Sequence, residues 1–555
     1  MEWDINLFGL LILGLIALGF AAGMLISGIK AGRRLHKKAL DGFGAVPARC
    51  TEEIGSIADY ADFREQQEAD SARVDATTWD DLEFDRVFRR IDCCRSAVGQ
   101  EYLYDRLHCL SDPAGCEWQE GLIAHLERHP QERERVQVLL AKLGKRDGGG
   151  IPRLLSGDGP RALPCPWLYR VLAVLPFLSP LCFFLSPLAG FCAVFGAVVL
   201  NFAVYHLGKR LVERDLRSVG AFSGLLWCAE KLCGSGGCAY PPLRECLMNG
   251  RGPFRSFRGK PAARTGFSDL ELLSEYVHIL SLDNLRLYNR ALRLATENAK
   301  ALQGLYEAVG GLDAAISVLS FRKSLPHWCR PEFRDSLTLE FAGLCHPLLS
   351  SPVGNDGVFP RDVLLTGSNA SGKSTFLKAL GVNAILAQSI STCAAEVFRL
   401  RPGAVLSSMA VRDSLTAGES YFVTELKSLR RITEAVKSLP CLCLIDEILK
   451  GTNTAERLAA SQAVMEELSR RDCFCIVASH DIELAGALAG IYESYHFREE
   501  IRGDEILFDY KLKPGPSRTR NAIKLLSVMG FGSGVTARAA FLAEQGGPAE
   551  KEPVS

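Results

Sequence analysis

The stretch that decides the fold of the carboxyl-terminal half is "VLLTGSNASGKSTFLKAL", residues 363–380. An apolar strand pattern leads into a glycine-rich loop, and a helical pattern follows. The loop fits G-x-x-x-x-G-K-S from Gly367 to Ser374. In this motif the glycines let backbone N–H groups approach phosphates, the lysine reaches the terminal phosphates and the hydroxyl ligates Mg²⁺. The stretch therefore predicts a P-loop site for ATP and Mg²⁺, and the flanking strand and helix disfavour the alternative of a ligand-free glycine turn.

The predicted nucleotide-binding residues run through this loop and into the helix. Gln388, fifteen residues after Lys373, is added as a residue that links the magnesium to other domains. The full set is Gly367, Ser368, Asn369, Ala370, Ser371, Gly372, Lys373, Ser374, Thr375 and Gln388.

A second stretch, "CLCLIDEILKGTNTAER" at residues 441–457, places two carboxylates at the end of an apolar strand. A charged pair at the end of a buried strand is costly unless it holds a metal or moves a proton. We therefore expect Asp446, with Ser374, to ligate Mg²⁺, and Glu447 to polarise the attacking water. A further strand, "CFCIVASHD", ends near His480, which is placed to sense the γ-phosphate. The predicted catalytic residues are Glu447, His480 and Lys373.

The bulk composition does not indicate a nucleic-acid binder that is strongly basic overall, because 64 basic residues balance 64 acidic ones in 555 residues, and it leaves room for local basic patches. This length predicts three or four domains. The 19 cysteines are scattered, many of them in apolar runs, which indicates reduced, buried thiols in a cytosolic body. Only Cys233, Cys238 and Cys246 have a metal-like spacing, and they lack a matched second half.

The amino terminus carries a predicted membrane anchor. Residues 5–29 contain no charge and are followed at once by a basic cluster that begins at Lys30. About 20 apolar residues cross a bilayer, and the basic cluster stays inside, so the amino terminus faces out. A cleaved signal peptide is the alternative, but the acidic start "MEWD" and the long apolar run disfavour it.

A second apolar region predicts a membrane hairpin. Residues 171–208 contain no charged side chain, which fits two spans of about 19 residues with a turn at Ser186, Pro187 and Gly190. Two spans return the chain to the inside, where Lys209 and the cations after it mark the return. The prediction is therefore a multi-pass cell-membrane protein with three transmembrane helices and a cytoplasmic ATPase domain.

A cationic segment, "RECLMNGRGPFRSFRGKPAART", holds six cations against one acid, with Phe254 and Phe257 between them. We expect a loop here that contacts phosphates of DNA or of lipid headgroups through Arg251, Arg255, Arg258 and Lys260. A solvated loop without a ligand is the alternative.

Four motifs together resemble the MutS family of DNA mismatch-repair ATPases, a branch of the ABC-type ATPase superfamily. They are "TGSNASGKST", "DSLTAGESYFVTE" at 413–425, "DEILKGTNT" and "ASH" at 478–480. Upstream, "LEFDRVFRRIDCCRSAVGQEYLYDRLH" resembles the start of the family's helical core, and "LYEAVGGLDAAISVLSF" resembles its lever. The family's amino-terminal mismatch-reading domain and long DNA clamp have no counterpart in the sequence.

The resemblance implies a homodimer in which Gly418 and Ser420 contact the γ-phosphate of ATP bound by the other subunit. It implies an α/β P-loop ATPase domain of MutS-like, ABC type at the carboxyl terminus, preceded by an α-helical core and lever. The expected function is a membrane-anchored ATPase that binds and hydrolyses ATP as a dimer and binds DNA without mismatch specificity. The alternative is an ABC-type ATPase coupled to a membrane partner, in transport or signalling without DNA.

The predicted domains follow these boundaries. They are a membrane anchor with a basic flank (1–39), a cytoplasmic helical region that is core-like from about residue 80 (40–165), a transmembrane hairpin (166–208), a helical core and lever with the basic segment 244–264 (209–334), the ATPase domain with a dimerisation segment (335–545) and a disordered tail (546–555).

Overall fold

The computed structural model describes most of the chain. The described residues are 30, 32–47, 54–67, 72–110, 113–145, 148–156, 159–160, 162–234, 237–257, 279, 281–367, 371–409, 421–450, 452–502, 505–517, 526 and 530–545. The predicted anchor at residues 5–29 and the predicted tail at 546–555 lie outside them.

The chain divides into two compact units. The helical unit comprises Met1–Asp70, Phe88–Leu107 and Pro113–Ser324. The sheet unit comprises Ser71–Val87, His108–Asp112 and Leu325–Ser555.

The helical unit is built from helices, as the helical patterns predict, and so is the early segment Ser71–Val87 of the sheet unit. In chain order, the helices of both are α1 (Gly55–Gln67), α2 (Ala76–Asp81), α3 (Phe84–Ile91), α4 (Ala97–His108), α5 (Pro113–Arg128), α6 (Pro130–Leu143), α7 (Gly150–Leu155), α8 (Pro166–Leu178), α9 (Pro187–Cys233), α10 (Pro241–Arg251), α11 (Asp283–Glu297) and α12 (Ala299–Ser324). Two short 3₁₀ helices, Ser179–Phe184 and Gly252–Phe254, follow α8 and α10.

Helix α12 is buried along most of its length and organises its neighbours. Its fully buried Asp313 accepts hydrogen bonds from the backbone N–H and the hydroxyl of Ser96, at 2.8 and 2.6 Å, and from the backbone N–H of Arg95 at 3.0 Å. These groups lie at the start of α4, whose first N–H groups have no partner within the helix. The carboxylate therefore fixes the two residues before α4, and the Ser96 hydroxyl in turn accepts a hydrogen bond from the backbone N–H of Gly99 in the first turn at 3.1 Å.

Two apolar stretches are long enough to cross a membrane, Pro166–Phe184 and Pro187–Val212. They correspond to the predicted hairpin, and the chain turns at Leu185 and Ser186. The Ser186 side chain accepts a hydrogen bond from the backbone N–H of Ala189 and so caps α9. Helix α9 then continues without a break past the predicted boundary at residue 208.

The sheet unit contains the strands β1 (Glu332–Phe333), β2 (Leu339–Leu344), β3 (Asn355–Phe359), β4 (Val363–Thr366), β5 (Val397–Leu400), β6 (Ala404–Ser408), β7 (Cys441–Asp446), β8 (Cys473–Ala478), β9 (Glu493–His496), β10 (Glu499–Arg502), β11 (Glu505–Phe508) and β12 (Lys513–Pro514). Its helices are α13 (Lys373–Ile390), α14 (Tyr421–Ala435), α15 (Thr454–Ser469), α16 (Ile482–Ala487) and α17 (Ser533–Gln545).

The main sheet has the strand order β12-β9-β4-β8-β7-β6. All of its neighbouring pairs are parallel except β12 with β9. Strand β8 is buried along its whole length, and β7 nearly so, because central strands of a parallel sheet are covered on both faces. A second sheet has the order β1-β5-β2-β3. This is the α/β architecture that the alternation of strands and helices predicts.

The cationic segment differs from its prediction as a loop. Its first half is helix α10 and the 3₁₀ turn Gly252–Phe254. The rings of Phe254 and Phe257 are buried against Phe222, with ring centroids 5.5 and 5.0 Å apart, and so do not lie at the surface with the cations. Alternating aromatic and cationic residues wrongly indicated a phosphate-binding loop here, because the same pattern occurs where a short helix packs on a core.

Candidate nucleotide site

The carboxyl ends of three neighbouring parallel strands meet at one edge of the main sheet. In the register of β4, β8 and β7, Ala478 lies opposite Leu365 on one side and Asp446 on the other. The backbone contacts continue beyond the strands, since Ser479 N donates to Leu365 O and Glu447 N donates to Ala478 O, each at 2.9 Å. Ligands of open α/β sheets bind at such an edge.

The two glycines that flank the loop after β4 have the backbone geometry that the sequence predicts. Gly367 has φ 135° and Gly372 has φ 106°, conformations that side-chain-bearing residues rarely adopt. A Cβ atom on Gly367 would lie 2.6 Å from the carbonyl oxygen of Phe497. Gly372 immediately precedes α13, so the loop leads directly into a helix N-terminus, where backbone N–H groups attract anions.

Lys373 and His480 are held by the same backbone oxygen. Lys373 Nζ donates to Gly367 O at 2.6 Å, and Nδ1 of His480 lies 3.0 Å from that atom. Lys373 is buried and begins α13, with half-buried Ser374 and exposed Thr375 next to it in the first turn. The structure thus brings the predicted phosphate-binding lysine and the predicted sensor histidine to one point.

Glu447 contacts His480 directly. Its carboxylate is bound by Nε2 of His480 and forms an ion pair with Lys450. Glu447 has φ 60° and Leu449 has φ 59°, so the chain makes a strained turn immediately after β7. The turn keeps the Glu447 carboxylate at the sheet edge, where the side chain is buried.

The environment lowers the pKa of His480. Burial is the larger cause, and the positive charge of Lys373 comes next. A neutral imidazole carries one N–H and donates to only one of its two neighbouring acceptors, Gly367 O or the Glu447 carboxylate. A neutral His480 therefore donates either from Nε2 to the Glu447 carboxylate or from Nδ1 to Gly367 O.

Asp446 fits a metal ligand. The residue is only 9% exposed, and its Oδ1 has no hydrogen-bond partner among the described residues. A buried carboxylate oxygen without a partner is costly, and a bound cation removes that cost. Mg²⁺ takes oxygen ligands and is commonly held by one or two carboxylates plus substrate phosphates. Asp446 and the Ser374 hydroxyl are of the right type for such a shell.

Comparison with known proteins connects this geometry to a family. Residues 363–545 match the family model of MutS domain V. A DNA mismatch repair protein MutS of Desulfovibrio desulfuricans is 32% identical over 232 residues, which is 39% of this chain and 25% of that protein. The carboxyl-terminal part of the chain is therefore similar to MutS domain V.

Further MutS relatives extend the matched region. The MutS protein homolog 4 of Mus musculus is 29% identical over 323 residues, 50% of this chain and 33% of that protein. A DNA mismatch repair protein MutS of Leptospira interrogans is 28% identical over 272 residues, 46% of this chain and 32% of that protein. The matches therefore span a quarter to a third of the length of these relatives.

Several predicted residues lie outside the described part of the chain. In the glycine loop they are Ser368, Asn369 and Ala370, and in the MutS-like trans signature they are Gly418 and Ser420. Arg258 and Lys260 of the cationic segment also fall outside it. Their roles remain predictions.

The structure does not bring Gln388 to the nucleotide site. Fifteen residues of helix separate it from Lys373, which corresponds to about 22 Å along α13. Its side chain is buried and accepts a hydrogen bond from the backbone N–H of Gly403 at 2.9 Å, and it also donates to Ala384 O at 3.2 Å. Gln388 therefore fixes the turn between β5 and β6, which lies away from the glycine loop.

Arg251 is paired within the protein and does not present its charge for the predicted phosphate contact. Its guanidinium donates to Glu230 at 2.6 Å and to Leu226 O at 3.4 Å. The ion pair neutralises the cation that was expected to contact phosphate. Two of the predicted phosphate contacts, Arg251 and Arg255, lie in the described part of the chain. Of these two, Arg255 is the exposed one.

Two residues that the sequence did not assign support the turn after β7. The Glu425 carboxylate on α14 accepts a hydrogen bond from the backbone N–H of Lys450 at 3.3 Å. Lys450 in turn pairs with Glu447. Glu425 is the last residue of the motif "DSLTAGESYFVTE", so the sequence identified it as part of that motif. Its contact with Lys450 could not be predicted, because it depends on how α14 packs beside β7.

The position of Gln388 leads to a test. Gln388→Ala should leave the affinity for nucleotide unchanged but lower the free energy of unfolding by about 1–3 kcal/mol, because the Gly403 N–H loses its partner. For a domain of this size, the thermal midpoint should fall by roughly 2–4 °C per kcal/mol. Fluorescent-nucleotide titration and thermal unfolding measure the two effects. Tenfold weaker nucleotide binding at an unchanged midpoint would instead place Gln388 in the site.

Proposed function

We propose that the chain is a membrane-anchored, MutS-type ATPase of the P-loop class that hydrolyses ATP as a homodimer. The observation that carries this proposal is the meeting of Lys373, Asp446, Glu447 and His480 at one sheet edge beside a left-handed glycine loop. MutS relatives whose names state DNA mismatch repair support the same reading.

Each residue has a distinct task in this proposal. Lys373 and the backbone N–H groups at the start of α13 bind and orient the phosphates. Asp446 and Ser374 hold Mg²⁺, which neutralises charge on the phosphate oxygens when bound. Glu447 orients the attacking water and accepts its proton, and His480 holds the Glu447 carboxylate in place. Lys450 competes for the same carboxylate, so Glu447 must exchange this ion pair for the water.

Turnover and binding should separate in two variants. Glu447→Gln should retain ATP binding but lower the hydrolysis rate at least a hundredfold, because the amide cannot accept the proton of water. Lys373→Ala should lose binding itself. Phosphate release and fluorescent-nucleotide titration of the detergent-solubilised full chain measure both. Glu483→Gln, which removes an exposed carboxylate three residues after His480, is the matched control and should hydrolyse at the normal rate.

The same assay tests the dimer. If Gly418 and Ser420 complete the site of the other subunit, Ser420→Ala should lower hydrolysis while each chain still binds ATP. Mixing Ser420→Ala with Glu447→Gln should then restore part of the activity, since one of the two composite sites becomes intact. Unchanged hydrolysis in Glu447→Gln contradicts the catalytic assignment, and unchanged hydrolysis in Ser420→Ala contradicts the composite site.

The surface of the two apolar stretches favours a membrane location. Only 22% of the most apolar window in each stretch is buried, whereas a core helix of a soluble protein is mostly covered. Large apolar side chains are exposed along both, and near the turn Phe184 is 89% and Leu185 82% exposed. Contiguous apolar surface of this kind marks a membrane or protein contact. We assign it to lipid in a multi-pass cell-membrane protein whose sheet unit is cytoplasmic.

Topology can be measured by labelling. In a background without exposed cysteines, Leu185→Cys should react with a membrane-impermeant maleimide added to intact cells, because the turn between α8 and α9 faces out. A cysteine at Glu483, in the sheet unit, should react only after the membrane is opened. Labelling of the position-483 cysteine in intact cells, or of neither cysteine, contradicts this topology.

DNA binding is the part of the proposal that rests most on the relatives. Mismatch reading needs a side chain wedged into a kinked base step. The triplet Phe63-Arg64-Glu65 has the Phe-x-Glu spacing of the MutS family's mismatch reader, but the Phe63 ring is buried, with its centroid 6.2 Å from that of Tyr60, and so is not presented as such a wedge. We propose binding to the phosphate backbone alone, through Arg255 and the cations that follow it.

Backbone binding predicts insensitivity to mismatches and steep dependence on salt. Paired and mismatched duplexes should bind within about threefold of each other, below the 1.4 kcal/mol that a tenfold preference needs. Arg255→Gln combined with Arg258→Gln should weaken both equally and lower the salt slope by roughly one unit per lost contact. Arg251→Gln is the control and should have little effect, because Arg251 is already paired with Glu230. A tenfold preference for mismatched DNA would contradict the proposal.

A second function is favoured by the ion pair of Arg251. With that cation neutralised, the described surface offers less for DNA than the sequence predicts, and an ATPase that acts on a membrane partner without DNA becomes the competing candidate. Absence of any DNA binding at low salt, together with intact ATP hydrolysis, selects this candidate.

A further inference from the structure

A histidine, a glutamate and a cysteine come together in the helical unit, far from the nucleotide site in sequence. His125 lies in the last turn of α5, and Glu132 lies in the first turn of α6, so the two face each other across the short connection between these helices. Cys238 lies in the segment between α9 and α10. One ligand atom from each residue lies within 4.8 Å of the other two.

The three side chains are held in place by the surrounding structure. Glu132 Oε1 accepts a hydrogen bond from the backbone N–H of Ala239 at 2.8 Å and lies 2.9 Å from His125 Nε2. Because Ala239 follows Cys238, this bond also fixes the backbone that carries the thiol. The His125 ring stacks on His129 with centroids 4.4 Å apart. Glu132 and Cys238 are buried, and His125 is half-buried.

We propose that His125, Glu132 and Cys238 form a site for one Zn²⁺ ion, with the fourth position open to water. Imidazole nitrogen, thiolate sulfur and carboxylate oxygen are the ligands that zinc uses in proteins, whereas Mg²⁺ and Ca²⁺ select oxygen alone. On binding, the thiol of Cys238 loses its proton to solvent and a zinc–sulfur bond forms.

The geometry needs only a small adjustment. Tetrahedral zinc with bonds of about 2.0–2.3 Å holds its ligand atoms roughly 3.3–3.8 Å apart. His125 Nε2 and Glu132 Oε1, at 2.9 Å, lie slightly closer than this, and the three ligand atoms all lie within 4.8 Å of one another, so shifts of about 1 Å would bring them to the tetrahedral spacing. The hydrogen bond from Ala239 to Glu132 would orient the carboxylate from outside the ligand shell, which is a common support for metal ligands.

The site would tie three segments of the helical unit together. It would join the end of α5, the start of α6 and the segment between α9 and α10. Binding to the folded state alone stabilises that state, so zinc should raise the temperature at which the protein unfolds. Without a metal, the same contacts would satisfy a buried carboxylate by hydrogen bonds only, and zinc would then have no effect on unfolding.

Cobalt substitution distinguishes the two readings in the full chain. The detergent-solubilised protein, stripped with a chelator, should bind one equivalent of Co²⁺ with a thiolate-to-cobalt charge-transfer band. Cys238→Ser, whose hydroxyl can still donate to Glu132, should lose the band and bind Zn²⁺ at least tenfold more weakly in competition with a chromophoric chelator. Cys246→Ser, which removes an exposed thiol eight residues further along the chain, is the control and should behave as the unmodified protein does.

If Cys238→Ser does not fold, a second variant tests the zinc site. His125→Gln then keeps the thiol, and it should weaken zinc binding at least tenfold and remove the rise in thermal midpoint that zinc causes. A protein that takes up no Co²⁺ with a charge-transfer band would overturn the proposal. A band that survives Cys238→Ser, or that is lost in Cys246→Ser, would do so as well.

Discussion

The parallel register of β4, β8 and β7 is the constraint on which the candidate site depends. It places Leu365, Ala478 and Asp446 side by side, and the hydrogen bonds from Ser479 N and Glu447 N extend the alignment past the ends of the strands. Each following residue then has a fixed place. The glycine loop opens on one strand end, His480 follows the next, and the carboxylate pair follows the third. A shift of one residue in any of these pairings would turn its side chains to the opposite face of the sheet.

The strained backbone after these strands has the same origin. Gly367 and Gly372 adopt left-handed conformations at no steric cost, but Glu447 and Leu449 adopt them with side chains attached. Such conformations persist where the surroundings enforce them and are frequent at functional sites. At this site the carboxylate of Glu425 holds the turn through the backbone of Lys450, and His480 holds the Glu447 side chain. The carboxylate proposed to activate water is thus positioned from two directions.

Much of the sheet unit was predictable from the sequence, because its signals are local. The G-x-x-x-x-G-K-S string lies between a strand and a helix in the chain, and that order alone placed Gly372 and Lys373 at a helix start. The apolar runs before Asp446 and His480 likewise predicted buried parallel strands. Gln388 could not be placed in this way, because the role of a buried amide on a helix depends on the backbone group that it bonds. Its partner, the backbone N–H of Gly403, belongs to the turn between β5 and β6.

The helical unit was less predictable because its important contacts join distant segments. Asp313 reads as an ordinary acid in a long helix, yet it holds Arg95 and Ser96 immediately before α4. Arg251 reads as one cation among six, yet Glu230 on a different helix neutralises it. Cys238 reads as one of three spaced cysteines, whereas its neighbours in the fold are His125 and Glu132. In each case the side chain's role is decided by a partner that sequence spacing does not reveal.

The proposed nucleotide site depends most on Asp446, the carboxylate that would hold the metal of a bound nucleotide at the aligned edge. Electron paramagnetic resonance of Mn²⁺ bound together with ATP, in place of Mg²⁺, measures this in the full chain. We expect one bound Mn²⁺ per chain with coupling to phosphorus nuclei of ATP, and loss of this signal in Asp446→Asn. Asp472→Asn removes an exposed carboxylate just before β8, at the opposite end of the strands, and should leave the signal intact. An unchanged Mn²⁺ signal in Asp446→Asn would contradict the proposal that Asp446 holds this metal.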